Sequence, residues 1–167
     1  MSEPNLSSML ASYVRDAHAM EENVLVMLDS MIRTTEDEQM RQRLEEHKTE
    51  TQEHSRLLEE RLDAMDTGGT AIKDIPARMG AFAKGMADLI RSDKPGKNAR
   101  DGYVTEHLEI AAYQLLERLA ERAGDHSTAE VARRIRADEE RMAEFINERW
   151  DRVLEMTLVQ EEVDVTS

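Results

Sequence analysis

The sequence predicts an all-α protein, a four-helix bundle with a long crossover that carries a short fifth helix. Four long segments repeat their apolar residues at helical spacing. The 167 residues include only 3 Pro and 7 Gly, so that helices can run long without interruption. Two links, residues 34–35 and 124–126, are so short that they favour antiparallel hairpins. We expect a single domain over residues 1–159 with no sheet.

Start and stop signals define the first two helices. The first is expected over residues 6–33, after Pro4 and Asn5. The second is expected over residues 36–65, because residues 35–38 (TEDE) form a capping box. The Gly pair at positions 68 and 69 ends it.

The second half of the chain repeats this pattern. A helix over residues 99–123 has Asn98 as candidate cap and Gly124 as stop signal. A further capping box at residues 127–130 (STAE) opens a helix that we expect to reach about residue 158. The acidic tail, residues 160–167, is expected to be disordered.

The crossover occupies residues 66–97. It contains a predicted short helix at residues 76–90, whose apolar residues recur at helical spacing. A connection of this length can run from one end of the bundle to the other. The second and third helices would then be parallel.

Composition excludes several classes of protein. The net charge of −14 disfavours nucleic acid and anionic lipid as partners. The absence of Cys excludes disulfides and thiolate metal sites. The N-terminus has no signal-peptide pattern, and no apolar run approaches the roughly 20 residues that span a bilayer. We therefore expect a cytoplasmic protein that binds neither nucleic acid nor membranes.

Every helix places ionisable residues within its apolar stripe. The third stripe, for example, consists of Leu108, Ala112, Leu116, Leu119 and Ala120, with Glu109 inside it. Lys and Arg are absent from the stripes near mid-helix, so the carboxylates lack an obvious counter-charge. The candidate metal ligands are Glu21, His47, Glu50, His54, Glu106, Glu109 and Glu139.

These residues also share one level of the bundle. Glu21 precedes the first turn by about as many residues as His47 follows it, and Glu109 and Glu139 are related in the same way around the second turn. Carboxylates and imidazoles on facing helices are ligands of iron and manganese. Two interpretations follow: one or two such ions neutralise the cluster, or the core is metal-free and partly protonated.

Four stretches carry a resemblance to a known family: residues 21–28 (EENVLVML), 47–51 (HKTET), 106–113 (EHLEIAAY) and 139–141 (EER). They resemble the YciE/YciF family of bacterial ferritin-like stress proteins. The resemblance implies a ferritin-like bundle, a homodimer and a di-iron-type site. That site would use Glu21, His47, Glu50, Glu106, Glu109 and Glu139.

The sequence departs from the Glu-x-x-His pattern of ferritin-like di-iron sites. It has His47-x-x-Glu50 instead, and Met142 lies three residues after Glu139. Two hypotheses stay open. One is a metal-dependent redox or metal-handling protein that reacts with a small oxidant, O₂ or peroxide. The other is a metal-free helical stress protein that acts by dimerisation. The acidic charge disfavours DNA protection.

The expected homodimer also has a basis in the residues. Tyr103 and Ile110 of the third helix and the apolar residues of the crossover helix lie outside the predicted core stripes and would be free to contact a partner. The alternative is that the crossover helix simply covers the third helix.

Overall fold

The computed structural model describes residues 5–65 and 95–163. Five helices make up this part of the chain: α1 (Leu6–Thr34), α2 (Glu38–Ala64), α3 (Pro95–Ala123), α4 (His126–Asn147) and α5 (Trp150–Gln160). Of the described residues, 91% are helical and none is in a strand. The predicted all-α class is confirmed. The predicted crossover helix at residues 76–90 and the tail residues 164–167 lie outside the described residues.

Both predicted capping boxes are wrong, because an Asp side chain caps each helix instead. Asp37 accepts a hydrogen bond from the backbone N–H of Met40 at 3.0 Å, so α2 begins at Glu38. The Thr35 hydroxyl donates backwards to the Met31 carbonyl oxygen. Asp125 likewise accepts from the N–H of Thr128 at 2.9 Å, and α4 begins at His126. An ionised Asp is a stronger partner for a helix N-terminus than a hydroxyl.

Two other boundaries differ from the prediction. The third helix begins at Pro95 rather than residue 99, since Pro is well suited to the first helical position. The fourth helix does not run to residue 158. It ends at Asn147, and α5 follows after Glu148 and Arg149. The stop at Gly124 is confirmed, because this residue has φ +75°.

The interior contains two apolar clusters at opposite ends of the bundle. The first cluster joins the start of α1, the end of α2, the end of α3 and the start of α4, and consists of Leu10, Val14, Ala17, Met20, Leu58, Leu62, Tyr113, Leu116, Leu119, Ala120, Ala129, Ala132 and Ile135. The second cluster joins the opposite helix ends and α5, and consists of Val24, Met27, Leu28, Met31, Leu44, Ala99, Met142, Ile146 and Val153.

The helix ends that meet in each cluster show in which direction the helices run. The ends of α2 and α3 meet in the first cluster and their starts meet in the second, so α2 and α3 are parallel, as predicted. Two antiparallel hairpins joined by one long connection form a ferritin-like bundle. None of the described helices is long and apolar enough to cross a membrane.

The inner face of α3 is rotated from the predicted one. Leu108 was expected inside but is 46% exposed, while Glu106 and Glu109 are buried. Tyr103 is not free either, because its ring packs edge-on against Trp150 with centroids 5.5 Å apart. The homodimer itself stays a prediction.

Candidate metal centre

A layer of ionisable side chains separates the two apolar clusters. Each of its six members is at most 1% exposed, and together they come from α1, α2, α3 and α4: Glu21, His47, His54, Glu106, Glu109 and Glu139. The bundle thus brings together six of the seven predicted site residues. The seventh, Glu50, lies outside the layer with its side chain 28% exposed.

Two groups of three ligand atoms form within this layer. In the first half-site, Nδ1 of His54 lies 3.0 Å from Oε1 of Glu139 and 3.4 Å from Oε2 of Glu21. In the second half-site, Nε2 of His47 lies 3.3 Å from Oε2 of Glu139 and 3.4 Å from Oε2 of Glu106. Glu139 therefore belongs to both half-sites, and it gives one carboxylate oxygen to each.

The atoms that face each other here are close without forming hydrogen bonds. This applies to Glu21 Oε2, His47 Nε2, His54 Nδ1, Glu106 Oε2 and both oxygens of Glu139, and the two buried oxygens of Glu109 have no hydrogen-bond partner either. Within each half-site the three ligand atoms lie within 4.8 Å of one another. Ligands about 2.1 Å from a common ion have comparable separations. The donor set therefore fits a metal ion in each half-site.

Charge supports the same fit. The four inner carboxylates, Glu21, Glu106, Glu109 and Glu139, are fully buried. Among the described residues, no Lys or Arg pairs with any of them, whereas Arg side chains pair with many surface carboxylates. Moving an unpaired carboxylate from water into the protein interior costs several kcal/mol of free energy, even after the surroundings have relaxed around the charge. Four negative charges are balanced by two divalent cations.

Each imidazole also forms a hydrogen bond through the ring nitrogen that points away from its half-site. Nδ1 of His47 hydrogen-bonds with Oε2 of Glu50 at 3.0 Å. Nε2 of His54 hydrogen-bonds with Oδ2 of Asp138, also at 3.0 Å. A carboxylate on the outer nitrogen is typical of metal-binding His residues. It leaves the inner nitrogen of each ring without a proton when the ring is neutral.

The Tyr113 hydroxyl reaches the layer from the first apolar cluster. It donates a hydrogen bond to Oε1 of Glu21, whose other oxygen faces His54. Burial and the neighbouring Glu21 charge raise the pKa of Tyr113 well above its ordinary value. The hydroxyl therefore stays protonated and orients the Glu21 carboxylate toward the first half-site.

The side chains of the layer shift one another's pKa values strongly. Burial alone would lower the pKa of His47, but the nearby Glu106 carboxylate, the hydrogen bond with Glu50 and the Glu139 charge raise it to about 10. Burial is likewise outweighed at His54, where contacts with Glu139 and Glu21 raise the pKa to about 11. Without metal, both rings are imidazolium at neutral pH.

The carboxylates respond differently according to their neighbours. Burial raises the pKa of Glu106 to about 8. It raises the pKa of Glu109 well above its ordinary value, with the Glu139, Glu21 and Glu106 charges adding to the effect. At Glu139 burial also raises the pKa, but contacts with His54 and His47 outweigh burial, so that the pKa lies below its ordinary value. The metal-free layer can thus reach neutrality with protons.

Comparison with known proteins gives the family. Residues 5–159 match the family model described as Domain of unknown function (DUF892). The chain belongs to this family. Its fold is similar to that of a protein from Xanthomonas campestris pv. campestris, with 25% identity, a TM-score of 0.78 and coverage of 95% of this chain and 100% of that one.

Two further structures share the fold. One is the stress protein YciF of E. coli, with 16% identity, a TM-score of 0.75 and coverage of 92% of this chain and 99% of that one. The other is YcfI of Rhodopseudomonas palustris, with 19% identity, a TM-score of 0.67 and coverage of 86% of this chain and 94% of that one. The relationship that the sequence motifs indicated is confirmed.

Asp138 was missed by the sequence-based prediction. It contacts His54 across 84 positions of sequence, and no local spacing marks that pair. The partner of His47 was easier to find, because Glu50 lies three residues later on the same helix.

Proposed function

We propose that this chain binds a pair of divalent iron or manganese ions inside the bundle and reacts there with a small oxidant, O₂ or peroxide. The observation that carries the proposal is the set of buried nitrogen and oxygen atoms that face one another without hydrogen bonds. In metal-free proteins, polar atoms so completely buried are nearly always hydrogen-bonded. Two ions would satisfy these atoms and the four negative charges together.

The donor chemistry favours iron or manganese. Each half-site offers one imidazole nitrogen and carboxylate oxygens, and the chain has no Cys. Carboxylates suit manganese and imidazoles suit iron, while the softer ions prefer thiolates. When bound, such ions supply one-electron redox chemistry and Lewis acidity.

The chain itself would position and shield this centre. Glu139 would join the two half-sites through its two oxygens. The first and second apolar clusters close the layer from both ends of the bundle and keep bulk water away. The YciF relative is a stress protein. A role in oxidant or metal handling under stress is part of the proposal.

A metal-free helical stress protein is the second candidate, and one observation favours it. The raised pKa values of His47 and His54, about 10 and 11, give the buried layer two positive charges without any metal. The layer would then be a protonated polar core in a protein that acts by association.

Metal content of purified variants separates the two candidates. We expect the wild-type chain, incubated with Fe(II) or Mn(II) without oxygen, to hold about two ions, as in two-metal sites. Glu139→Gln should lose at least one ion, because the change removes an oxygen charge that both half-sites share. Elemental analysis after gel filtration measures this.

Glu140→Gln is the matched control. Glu140 neighbours Glu139 on α4, but its side chain is 51% exposed and pairs with Arg136. The metal content of the Glu140→Gln variant should therefore equal that of the wild type. A wild-type chain that takes up no metal would reject the proposal in favour of the metal-free candidate. In that case Glu139→Gln should destabilise the fold, because Glu139 faces both imidazolium rings.

A further inference from the structure

The two imidazoles of the layer present different nitrogens to the interior. His47 faces Glu106 and Glu139 with Nε2. His54 faces Glu21 and Glu139 with Nδ1. We propose that His47 binds its metal ion through Nε2 and His54 binds through Nδ1, and that outer carboxylates impose this difference. The inference deepens the proposed function and rests on it.

Each ring is fixed by a carboxylate on its other nitrogen. An ionised carboxylate that is not bound to the metal accepts hydrogen bonds only, so with metal in the half-site the outer ring nitrogen that faces such a carboxylate must carry the proton. Glu50 therefore places the proton of a neutral His47 on Nδ1, and Asp138 places that of His54 on Nε2. The inner nitrogen of each ring is left with a lone pair directed at its half-site.

The two outer carboxylates, Glu50 and Asp138, come from different helices. His47 and Glu50 are three residues apart on α2, so the pair is local. Asp138 approaches His54 from α4. Asp138 and Glu139 are consecutive on α4 and contact opposite nitrogens of His54, each at 3.0 Å. The ring is clamped between them and cannot turn over without losing both contacts.

Arg141 links the two outer carboxylates. Its guanidinium pairs with Oδ1 of Asp138 and lies 4.0 Å from Oε1 of Glu50. Arg43 donates to Oε2 of Glu50 as well, at distances of 3.1 and 3.2 Å. These Arg side chains hold the outer carboxylates in place. Glu50 and Asp138 are thus positioning residues, and they do not bind the metal themselves.

Zinc-loaded protein allows a direct test, because Zn(II) is diamagnetic and binds imidazole and carboxylate ligands. Long-range ¹H–¹⁵N correlation spectra of the His-labelled, Zn(II)-loaded full chain report which ring nitrogen carries a proton and which binds metal. We expect one His ring with metal at Nε2 and another with metal at Nδ1. Two rings bound through the same nitrogen would overturn the inference.

Variants assign the signals and test the positioning role. Asp138→Ala should move the ring signals of His54, leave those of His47 nearly unchanged and weaken Zn(II) binding in one half-site about 10- to 100-fold. Asp138→Asn should restore part of the affinity, because its amide oxygen can still accept the Nε2 proton. Glu50→Ala should have the reciprocal effect on His47.

Glu140→Ala is the control on the same helix, since its side chain is exposed and pairs with Arg136. It should change neither the spectra nor the affinity. Unchanged His54 signals and affinity in Asp138→Ala would overturn the positioning role while leaving metal binding intact. A wild-type chain that binds no metal would instead reject the proposed function, and the inference with it.

Discussion

Three consecutive acidic residues of α4 lie in three different environments. Asp138 faces α2 and forms a hydrogen bond with His54, Glu139 is fully buried between two imidazoles, and Glu140 extends into solvent. Successive helical residues point about 100° apart, so this divergence is a direct result of helical geometry. One short acidic run thus supplies an outer hydrogen-bond partner, a shared ligand and a surface charge.

Tyr113 provides a prediction at the scale of a single residue. Tyr113→Phe keeps the ring in the first apolar cluster but removes the hydroxyl that donates to Glu21. We expect the free energy of unfolding of the metal-free protein to fall by about 1–3 kcal/mol, because a buried carboxylate oxygen loses its partner. Chemical denaturation at neutral pH measures the change.

Tyr103→Phe is the comparison for this variant. The Tyr103 ring packs edge-on against Trp150 and His107, and those contacts survive the substitution. Its effect should stay within about 0.5 kcal/mol, which is usual away from buried polar networks. If Tyr113→Phe were equally mild, its hydroxyl would not support the Glu21 carboxylate.

Residue-level prediction from sequence succeeded where helical periodicity was sufficient. The stripes alone place Glu21, His47, His54, Glu109 and Glu139 inside, and all five are buried. By periodicity alone Glu106 falls at the edge of the α3 stripe, where a few tens of degrees of helix rotation decide whether a side chain is buried. The contact of Asp138 with His54 depends on how α2 and α4 face each other, which no single helix encodes.

At the scale of elements, the helix starts show which local signals dominate. Asp37 caps α2 and also pairs with Arg152 of α5, whose Nη2 lies 2.7 Å from its Oδ2. The hydrogen bond from Met40 and the Arg152 pair lower the pKa of Asp37 below its ordinary value, against a smaller effect of burial. The ionised side chain therefore stabilises both the start of α2 and its contact with α5.

Asp37→Ala should destabilise the protein by about 0.5–2 kcal/mol at neutral pH, the usual cost of losing an N-cap. A depressed folded pKa means that the stabilisation is fully present above the ordinary value near 3.8 and disappears as pH falls through the lower folded value. Urea unfolding at neutral and acidic pH should show the difference between wild type and variant shrinking only below about pH 3.8.

Glu36→Ala controls for the loss of one negative charge in the same link, because Glu36 is exposed and caps no helix. It should have little effect at any pH. If Asp37→Ala cost as much in acid as at neutral pH, the cap would not depend on an ionised Asp37.

The break between α4 and α5 shows what local signals cannot provide. No Gly or Pro lies at residues 148–149, and the apolar periodicity continues across them. The chain nevertheless leaves the helix there, and Val153 of α5 is buried in the second apolar cluster. Tertiary packing against α3, including the hydrogen bond from the Gly96 N–H to Thr157, determines this element.

At the scale of the whole molecule, the described helices form a bundle in which a layer of ionisable side chains lies between two apolar clusters. The two apolar clusters hold the ends of the four long helices, but the layer between them contains six ionisable side chains. Without metal, burial of these polar groups carries a desolvation cost in place of hydrophobic stabilisation. The overall charge of −14 adds self-repulsion across the fold.

Metal bound in this layer would join all four long helices, since the half-sites take ligands from α1, α2, α3 and α4. Binding to the folded state alone stabilises it by about 2.7 kcal/mol at a free metal concentration 100 times Kd. For a chain of this length, we therefore expect the thermal midpoint to rise by roughly 5–10 °C on loading with Mn(II). Dichroism-monitored melting, with and without Mn(II), measures the shift.

Glu139→Gln distinguishes binding in the layer from attraction of cations to the acidic surface. The variant keeps nearly all of the surface charge but loses the carboxylate shared by both half-sites. Its thermal midpoint should therefore respond much less to Mn(II) than that of the wild type. Equal shifts in the two proteins would mean that the cation stabilises the fold from outside, since only a metal held between the four helices requires Glu139.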